Sequence, residues 1–303
     1  MLPGVSEDSL PVYRIARYGT IAFSLLALGS PIPIGSSAKG KTMMRIRERS
    51  VATNGLDMHI LEAGEGKPLV LLHGGTLTST SWSDFIPVVA ERYYTVAPDS
   101  RGHGRTANPT GKLSYRGMAD DVAGLIEELE LRDPLVIGYS DGGQIALELA
   151  LRHPGLAGAL VIAGASYRVG SEYFNSLKAW GFPSAGTVDL DQMQRDNPQW
   201  LDEMRTLHVG NGESDYWREL LRQISHLWYS WQDYHLDQLR DIASPTLIYL
   251  GDRDELNELD QAVEMYHALP NAELAIIPHA NHFIAFDQLR NPLVLEFLER
   301  HSR

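Results

Sequence analysis

Residues 135–143 read LVIGYSDGG and combine the features of a strand, a sharp turn and the start of a helix. The apolar, β-branched run predicts a buried strand, and the helix formers at 144–151 predict a helix. Gly138 and Gly142 flank Ser140 and have no Cβ atoms, so a tight turn can form there and expose the serine hydroxyl above the sheet. The first amides of the helix would favour negative charge there. The alternative interpretation is a glycine-rich connection with an incidental serine.

Strands and helices alternate on both sides of this segment. Asn54-Gly55 between two apolar runs predicts a hairpin of residues 46–53 and 56–62. Further strands are predicted at 69–72, 93–97, 159–163, 246–250 and 274–277, and helices at 81–90, 118–129, 259–269 and 283–298. The alternation predicts an α/β fold whose mostly parallel central sheet is covered by helices on both faces.

One interval interrupts the alternation. Residues 166–244 show no clear strand pattern and hold five of the six tryptophans. We expect them to form an inserted helical cap, with residues 43–165 and 245–303 forming the α/β core.

Residues 1–42 differ from the rest in composition. Arg14 and Arg17 precede a short uncharged run, and small residues precede a possible cleavage after Ala38. A signal peptide over residues 1–38 would make the protein periplasmic or secreted. The alternative is an upstream extension of a cytoplasmic protein. The apolar run is too short and too proline-broken to span a membrane.

The overall composition limits the possible partners. The chain has 303 residues, 44% of them hydrophobic, a net charge of −13 and no cysteine. This acidity argues against a nucleic-acid partner. The absence of cysteine excludes disulfides, a thiol nucleophile and cysteine-ligated zinc. His279 and His282 alone make a poor zinc site, and no nucleotide-binding motif is present, so we expect neither a metal nor another cofactor.

Chemically active side chains follow several of the predicted strands. The carboxyl ends of parallel strands share one edge of a sheet, where ligands bind. A serine nucleophile needs an imidazole to take its proton, a carboxylate to orient that imidazole, and backbone amides for the oxyanion. The loops at this edge supply these groups: His73-Gly74-Gly75, Ser140, Asp252 and Asp254, and His279 and His282.

These motifs and their order resemble those of the α/β-hydrolase superfamily, in its capped serine-hydrolase form. The resemblance covers roughly residues 46–300 and also includes the segment DSRGHG at 99–104. It implies Ser140 as nucleophile, Asp254 as acid and His282 as base, with the amides of Gly75 and Asp141 binding the oxyanion.

Three of these assignments have alternatives within the sequence, namely Asp252 for Asp254, His279 for His282, and Thr76 for Gly75. The family places its acid three residues after the glycine and opens the last helix with a His-Phe pair, which favours Asp254 and His282. The charge of Asp141 would oppose oxyanion formation, so we expect its side chain to point away or to be paired. For residues 99–104, the expected role is to fix a turn.

A serine at this turn indicates acyl chemistry, whereas related dehalogenases and epoxide hydrolases carry aspartate there. We expect a hydrolase that cleaves small carboxylic esters or lactones through an acyl-enzyme. Trp180, Trp228 and Trp231 of the cap are candidates for contacting an apolar or aromatic substrate. The alternatives are a carbon–carbon bond hydrolase, a cofactor-free perhydrolase, and a non-catalytic ligand-binding protein on the same scaffold.

Overall fold

The structure is a computed structural model that describes residues 45–210, 212, 215–231 and 233–302. The predictions for residues 1–42 lie outside this described part. The strands are β1 Arg47–Thr53, β2 Leu56–Ala63, β3 Lys67–Leu72, β4 Tyr93–Pro98, β5 Leu135–Tyr139, β6 Ala159–Ala163, β7 Thr246–Gly251 and β8 Ala272–Ile277.

These strands form one sheet in the order β1-β2-β4-β3-β5-β6-β7-β8. The pairs β1–β2 and β2–β4 are antiparallel, and the six strands β3 to β8 are parallel to one another. The hairpin between β1 and β2 turns at Asn54-Gly55, and both residues have positive φ angles, as a tight hairpin turn requires. The predicted α/β fold with a mostly parallel sheet is confirmed.

The helices are α1 Ile86–Val89, α2 Tyr115–Glu128, α3 Asp141–Arg152, α4 Ser171–Ala179, α5 Leu190–Asp196, α6 Pro198–Leu207, α7 Tyr216–Ser230, α8 Leu236–Leu239, α9 Leu259–Ala268, α10 His282–Asp287 and α11 Pro292–Arg300. Alternate side chains of each strand enter opposite cores. On β5, Val136 packs on the side of α2, α3 and α9, while Leu135 and Ile137 pack on the side of α1 and α11. Burial on both faces explains why the central strands are continuously apolar.

Two predicted helices are interrupted in the structure. The helix predicted over 283–298 is α10, a 3₁₀ turn at Gln288–Arg290, and α11. Pro292 has no amide hydrogen to continue a helix, and the Asn291 side chain accepts a hydrogen bond from Leu293 N at 3.0 Å, which starts a new one. The segment 81–90 likewise divides into a 3₁₀ turn at Ser79–Trp82 and the short α1.

Helices α4 to α8 lie between β6 and β7, within the interval 166–244 that we call the cap segment. Helix α7 carries a stripe of buried residues at helical spacing, namely Trp217, Leu220, Leu221 and Ile224. Across the described part of the chain, no helix combines the length and apolarity that a membrane crossing would need.

Candidate active site

Ser140 lies at the sharp turn between β5 and α3. Its φ of 55° and ψ of −119° lie outside the regions that non-glycine residues usually adopt. The neighbouring backbone holds it there, because Ser140 N donates to Ala163 O at 2.8 Å and Ser140 O accepts from Gly143 N at 2.8 Å. A Cβ on Gly142 would lie 2.2 Å from Leu72 O, so only glycine permits α3 to start this close to β3.

Ser140, His282 and Asp254 form one hydrogen-bonded chain. His282 Nε2 lies 3.0 Å from Ser140 Oγ, and His282 Nδ1 lies 2.8 Å from Asp254 Oδ2. The carboxylate accepts from Nδ1–H, which leaves the Nε2 lone pair free to accept the serine proton. The arrangement can therefore move a proton from Ser140 to His282.

The Asp254 carboxylate has a fixed orientation. Its Oδ1 accepts hydrogen bonds from Leu256 N at 2.9 Å and Asn257 N at 3.0 Å. Its Oδ2 faces His282. Both side chains of the Asp254–His282 pair are almost completely buried. This anchoring keeps one carboxylate oxygen available for the imidazole.

The two alternative residues from the sequence analysis lie elsewhere. Asp252 Oδ1 accepts from Ala280 N at 3.2 Å, so this side chain stabilises the loop that precedes α10. His279 is exposed and its Nδ1 lies 2.5 Å from Arg253 Nη2. The structure thus brings Asp254 and His282 to Ser140, and neither Asp252 nor His279.

The buried pair shifts the protonation of both partners. Burial lowers the pKa of His282, but the charge and hydrogen bond of Asp254 outweigh it, so the net pKa of His282 is raised. Burial raises the pKa of Asp254, but His282 and the two backbone amides outweigh burial, so the net pKa of Asp254 is lowered. At neutral pH, Asp254 is therefore a carboxylate.

A pH profile should report this imidazole. We expect kcat/KM for a neutral ester to fall as the pH drops, with a midpoint above the ordinary histidine value of about 6.5, because protonated His282 cannot accept the serine proton. The charge of Asp141 also raises the pKa of His282, so Asp141→Asn should move the midpoint down. His279→Asn is the matched control and should leave it unchanged. A wild-type midpoint below the ordinary value would contradict this assignment.

Gly75 and Asp141, the expected oxyanion residues, lie against each other beside Ser140. Asp141 is the first residue of α3, where backbone amides have no helical acceptor. A Cβ on Gly75 would lie 2.5 Å from Asp141 Oδ2 and 2.7 Å from Trp228 Cζ2. Only glycine allows the loop after β3 to approach this closely.

The Asp141 side chain is buried and paired, as the sequence analysis expects. Its Oδ1 accepts from Tyr115 Oη and from Trp228 Nε1, each at 2.9 Å. Burial raises the pKa of Asp141 to about 6, against the opposing effects of Trp228, Tyr115 and His282. Both hydrogen-bond donors are neutral, so a negative charge remains beside Gly75 and the loop after β3 at neutral pH. Tyr115 is not predicted from the sequence, because no motif marks it.

The three candidate tryptophans take different positions. Trp228 contacts the site directly through Asp141. Trp180 packs against Phe283, the residue after His282, with ring centroids 5.6 Å apart. Trp231 packs edge-on to Tyr115 at 6.1 Å. Trp180 therefore contacts the residue next to His282, and Trp231 contacts a hydrogen-bond partner of Asp141.

The segment 99–104 has structural contacts that suit a turn. Asp99 accepts hydrogen bonds from Ser79 N at 2.7 Å and Arg105 N at 2.9 Å, and it pairs with His59 at 3.1 Å. Although burial raises the pKa of Asp99, these partners outweigh it and lower the pKa strongly.

Within the described ranges, no three histidine, aspartate or glutamate side chains are grouped to hold a metal ion.

Comparisons with known proteins agree with this fold. The Alpha/beta hydrolase family matches residues 69–291. The chain is 28% identical over 269 residues to 2-hydroxy-6-oxo-2,4-heptadienoate hydrolase of Pseudomonas putida, covering 82% of this chain and 95% of that protein. It is 26% identical over 251 residues to a pimeloyl-[acyl-carrier protein] methyl ester esterase of Nitrosospira multiformis, covering 75% and 92%.

Among solved structures, a meta-cleavage product hydrolase from Pseudomonas fluorescens IP01 aligns with a TM-score of 0.66 at 21% identity, over 83% of this chain and 97% of that one. The protein therefore belongs to the alpha/beta hydrolase family and is a hydrolase. Its relatives include both carbon–carbon bond hydrolases and esterases, so family membership leaves the scissile bond open.

Proposed function

We propose that the protein is a serine hydrolase that cleaves small, uncharged carboxylic esters or lactones through an acyl-enzyme. The observation that carries the proposal is the hydrogen-bonded chain from Asp254 through His282 to Ser140. Its position at the carboxyl ends of the parallel strands is the usual place for ligand binding in such sheets.

In the acylation step, His282 Nε2 takes the proton of Ser140 Oγ as the oxygen attacks the ester carbonyl. The charge that forms on the carbonyl oxygen is stabilised by the backbone amides of Gly75 and Asp141. His282 then gives its proton to the leaving alcohol, and the carbon–oxygen bond breaks to leave Ser140 acylated. Asp254 keeps the imidazole in the required tautomer and stabilises its positive charge.

In the deacylation step, water occupies the place of the alcohol. His282 takes one of its protons, and the resulting hydroxide attacks the acyl carbonyl. Collapse of the second tetrahedral intermediate returns the proton to Ser140 and releases the carboxylic acid. No other group is required for the balance of protons.

Carbon–carbon bond cleavage is the second candidate, because one relative is named a 2-hydroxy-6-oxo-2,4-heptadienoate hydrolase. That substrate has no ester or amide bond, so its hydrolysis breaks a carbon–carbon bond. The 2-hydroxy-6-oxo-dienoate named there is an anion. The buried Asp141 carboxylate, with its neutral partners, would oppose an anionic substrate beside the nucleophile. This charge favours the uncharged ester in our proposal.

Substrate charge therefore separates the two candidates. We expect wild type to turn over p-nitrophenyl acetate, p-nitrophenyl butyrate and a small lactone with a higher kcat/KM than a 2-hydroxy-6-oxo-dienoate. Two unit charges roughly 8 Å apart interact by about 2 kcal/mol at an effective dielectric constant near 20. Asp141→Asn, which keeps the backbone amide, should therefore raise kcat/KM for the dienoate by about tenfold or more and for the neutral esters by less.

The pH provides an internal control. Below about pH 6, wild-type Asp141 is itself largely neutral, so wild type and Asp141→Asn should approach the same ratio of kcat/KM for the dienoate to kcat/KM for the ester. Protonation of His282 affects both substrates alike and cancels in this ratio. A wild-type enzyme that prefers the dienoate over every ester would overturn the ester proposal and favour carbon–carbon cleavage.

A further inference from the structure

The oxyanion turn, residues 74–77, is held from outside by two imidazoles. A hydrogen bond from Leu77 N to Gly74 O, at 3.2 Å, closes the turn. His73 Nδ1 donates to Gly74 O at 2.7 Å, and its Nε2 accepts from Ser100 N at 2.9 Å. His208 Nε2 donates to Thr76 O at 3.1 Å.

Thr76 has an unfavourable backbone conformation, so the turn needs such support. Its φ of 63° lies in the left-handed region, which a β-branched residue rarely adopts. Thr76 follows Gly75, whose amide is the proposed oxyanion donor. Because each peptide unit is planar, holding the carbonyl of Gly74 sets the direction of the Gly75 amide. Holding the carbonyl of Thr76 fixes the peptide unit after Thr76, which limits rotation of the Gly75 and Thr76 backbone between the two held units.

His208 comes from the cap segment, directly after α6. Its Nδ1 accepts a hydrogen bond from Gly104 N at 3.0 Å, so the proton is on Nε2, where it can be donated to Thr76 O. The side chain is buried, and burial lowers its pKa to about 4, so this neutral tautomer persists at neutral pH. Val209 N and Gly210 N both donate to Gly104 O at 2.9 Å, which docks the backbone beside it.

We propose that His208 is a positioning residue for the oxyanion turn, so that docking of the cap segment assembles the oxyanion site. The cap also reaches this turn from its other side, where Trp228 packs against Gly75 and donates to Asp141. Contact from both sides makes the geometry of the Gly75 amide depend on the cap. This inference rests on the proposed ester hydrolysis.

Two amide substitutions separate positioning from simple docking. In His208→Gln, the side-chain amide reaches the place of Nε2 and can still donate to Thr76 O. In His208→Asn, the shorter amide reaches the place of Nδ1 and can still accept from Gly104 N, but the donor to Thr76 O is lost. His226→Asn, at an exposed position on α7, is the matched control.

The measurement is kcat and KM for p-nitrophenyl butyrate, per active site titrated with a fluorophosphonate. We expect His208→Asn to lower kcat by about 10- to 100-fold, part of the value of one oxyanion donor, with KM within about twofold. The Ki of a trifluoromethyl ketone, which forms an oxyanion on Ser140, should rise in parallel. The kcat of His208→Gln should stay within about fivefold of the wild-type value. The kcat of His226→Asn should equal the wild-type value.

Equal kcat per titrated site in wild type and His208→Asn would overturn the positioning role, as would a larger loss in His208→Gln than in His208→Asn. Those outcomes leave ester hydrolysis by wild type intact. A wild-type protein that neither reacts with the fluorophosphonate nor hydrolyses any ester would instead overturn the proposed function, and this inference with it.

Discussion

Replacing Ser140 by alanine should lower kcat/KM for p-nitrophenyl butyrate by about 10⁴- to 10⁶-fold. Without Oγ no acyl-enzyme forms, and only the oxyanion amides and substrate binding remain to accelerate attack by water. Alanine keeps the Cβ and the backbone contacts with Ala163 and Gly143, so the fold should survive the change.

The measurement combines initial rates with intact mass after fluorophosphonate treatment. Wild type should gain the mass of one phosphonyl group, and Ser140→Ala should gain none. Ser83→Ala is the matched control, because it removes a hydroxyl that only caps a local turn. Unchanged turnover by pure Ser140→Ala would mean that the nucleophile is another group.

Replacing Asp254 by asparagine should lower kcat by about 10⁴-fold. Leu256 N and Asn257 N both donate to Oδ1, so the amide oxygen of the new asparagine must occupy that place. Its NH₂ group then faces His282 and donates to Nδ1. The imidazole proton is forced onto Nε2, where it blocks acceptance of the serine proton.

Asp252→Asn tests this assignment at the neighbouring carboxylate. Asp252 contacts Ala280 N instead of the imidazole, so its loss should change kcat by less than about threefold. Rates should be compared at several pH values, because removing the Asp254 charge also lowers the pKa of His282. Equal losses in Asp252→Asn and Asp254→Asn would refute a specific role for Asp254.

Local patterns were sufficient to predict the elements that bear the site. The glycines around Ser140 and the apolar run before it predict the strand, turn and helix that the structure contains. Asn54-Gly55 likewise predicts the β1–β2 hairpin, whose geometry depends only on neighbouring residues. Parallel strands bring their ends to one edge, so chain order places Ser140 near Asp252 or Asp254 and near His279 or His282. The choice of Asp254 and His282 from these pairs came from the family resemblance.

The contacts that depend on distant parts of the chain could not be predicted in this way. Tyr115 meets Asp141 only because α2 packs beside α3, and His208 meets Thr76 across 132 positions of sequence. Neither residue belongs to a motif with a fixed spacing. The division of the last helix was signalled by Asn291-Pro292, but the apolar periodicity across it predicts one continuous helix.

Strand β1 forms one outer edge of the sheet, and residues 47–50 on it are exposed and mostly charged. Two of them, Arg47 and Arg49, form ion pairs with Glu62 on β2. Charged side chains on an edge strand oppose the addition of a strand from another molecule. The apolar strands at the centre of the sheet therefore lie away from this exposed edge. The charges on the edge should oppose aggregation in concentrated solution.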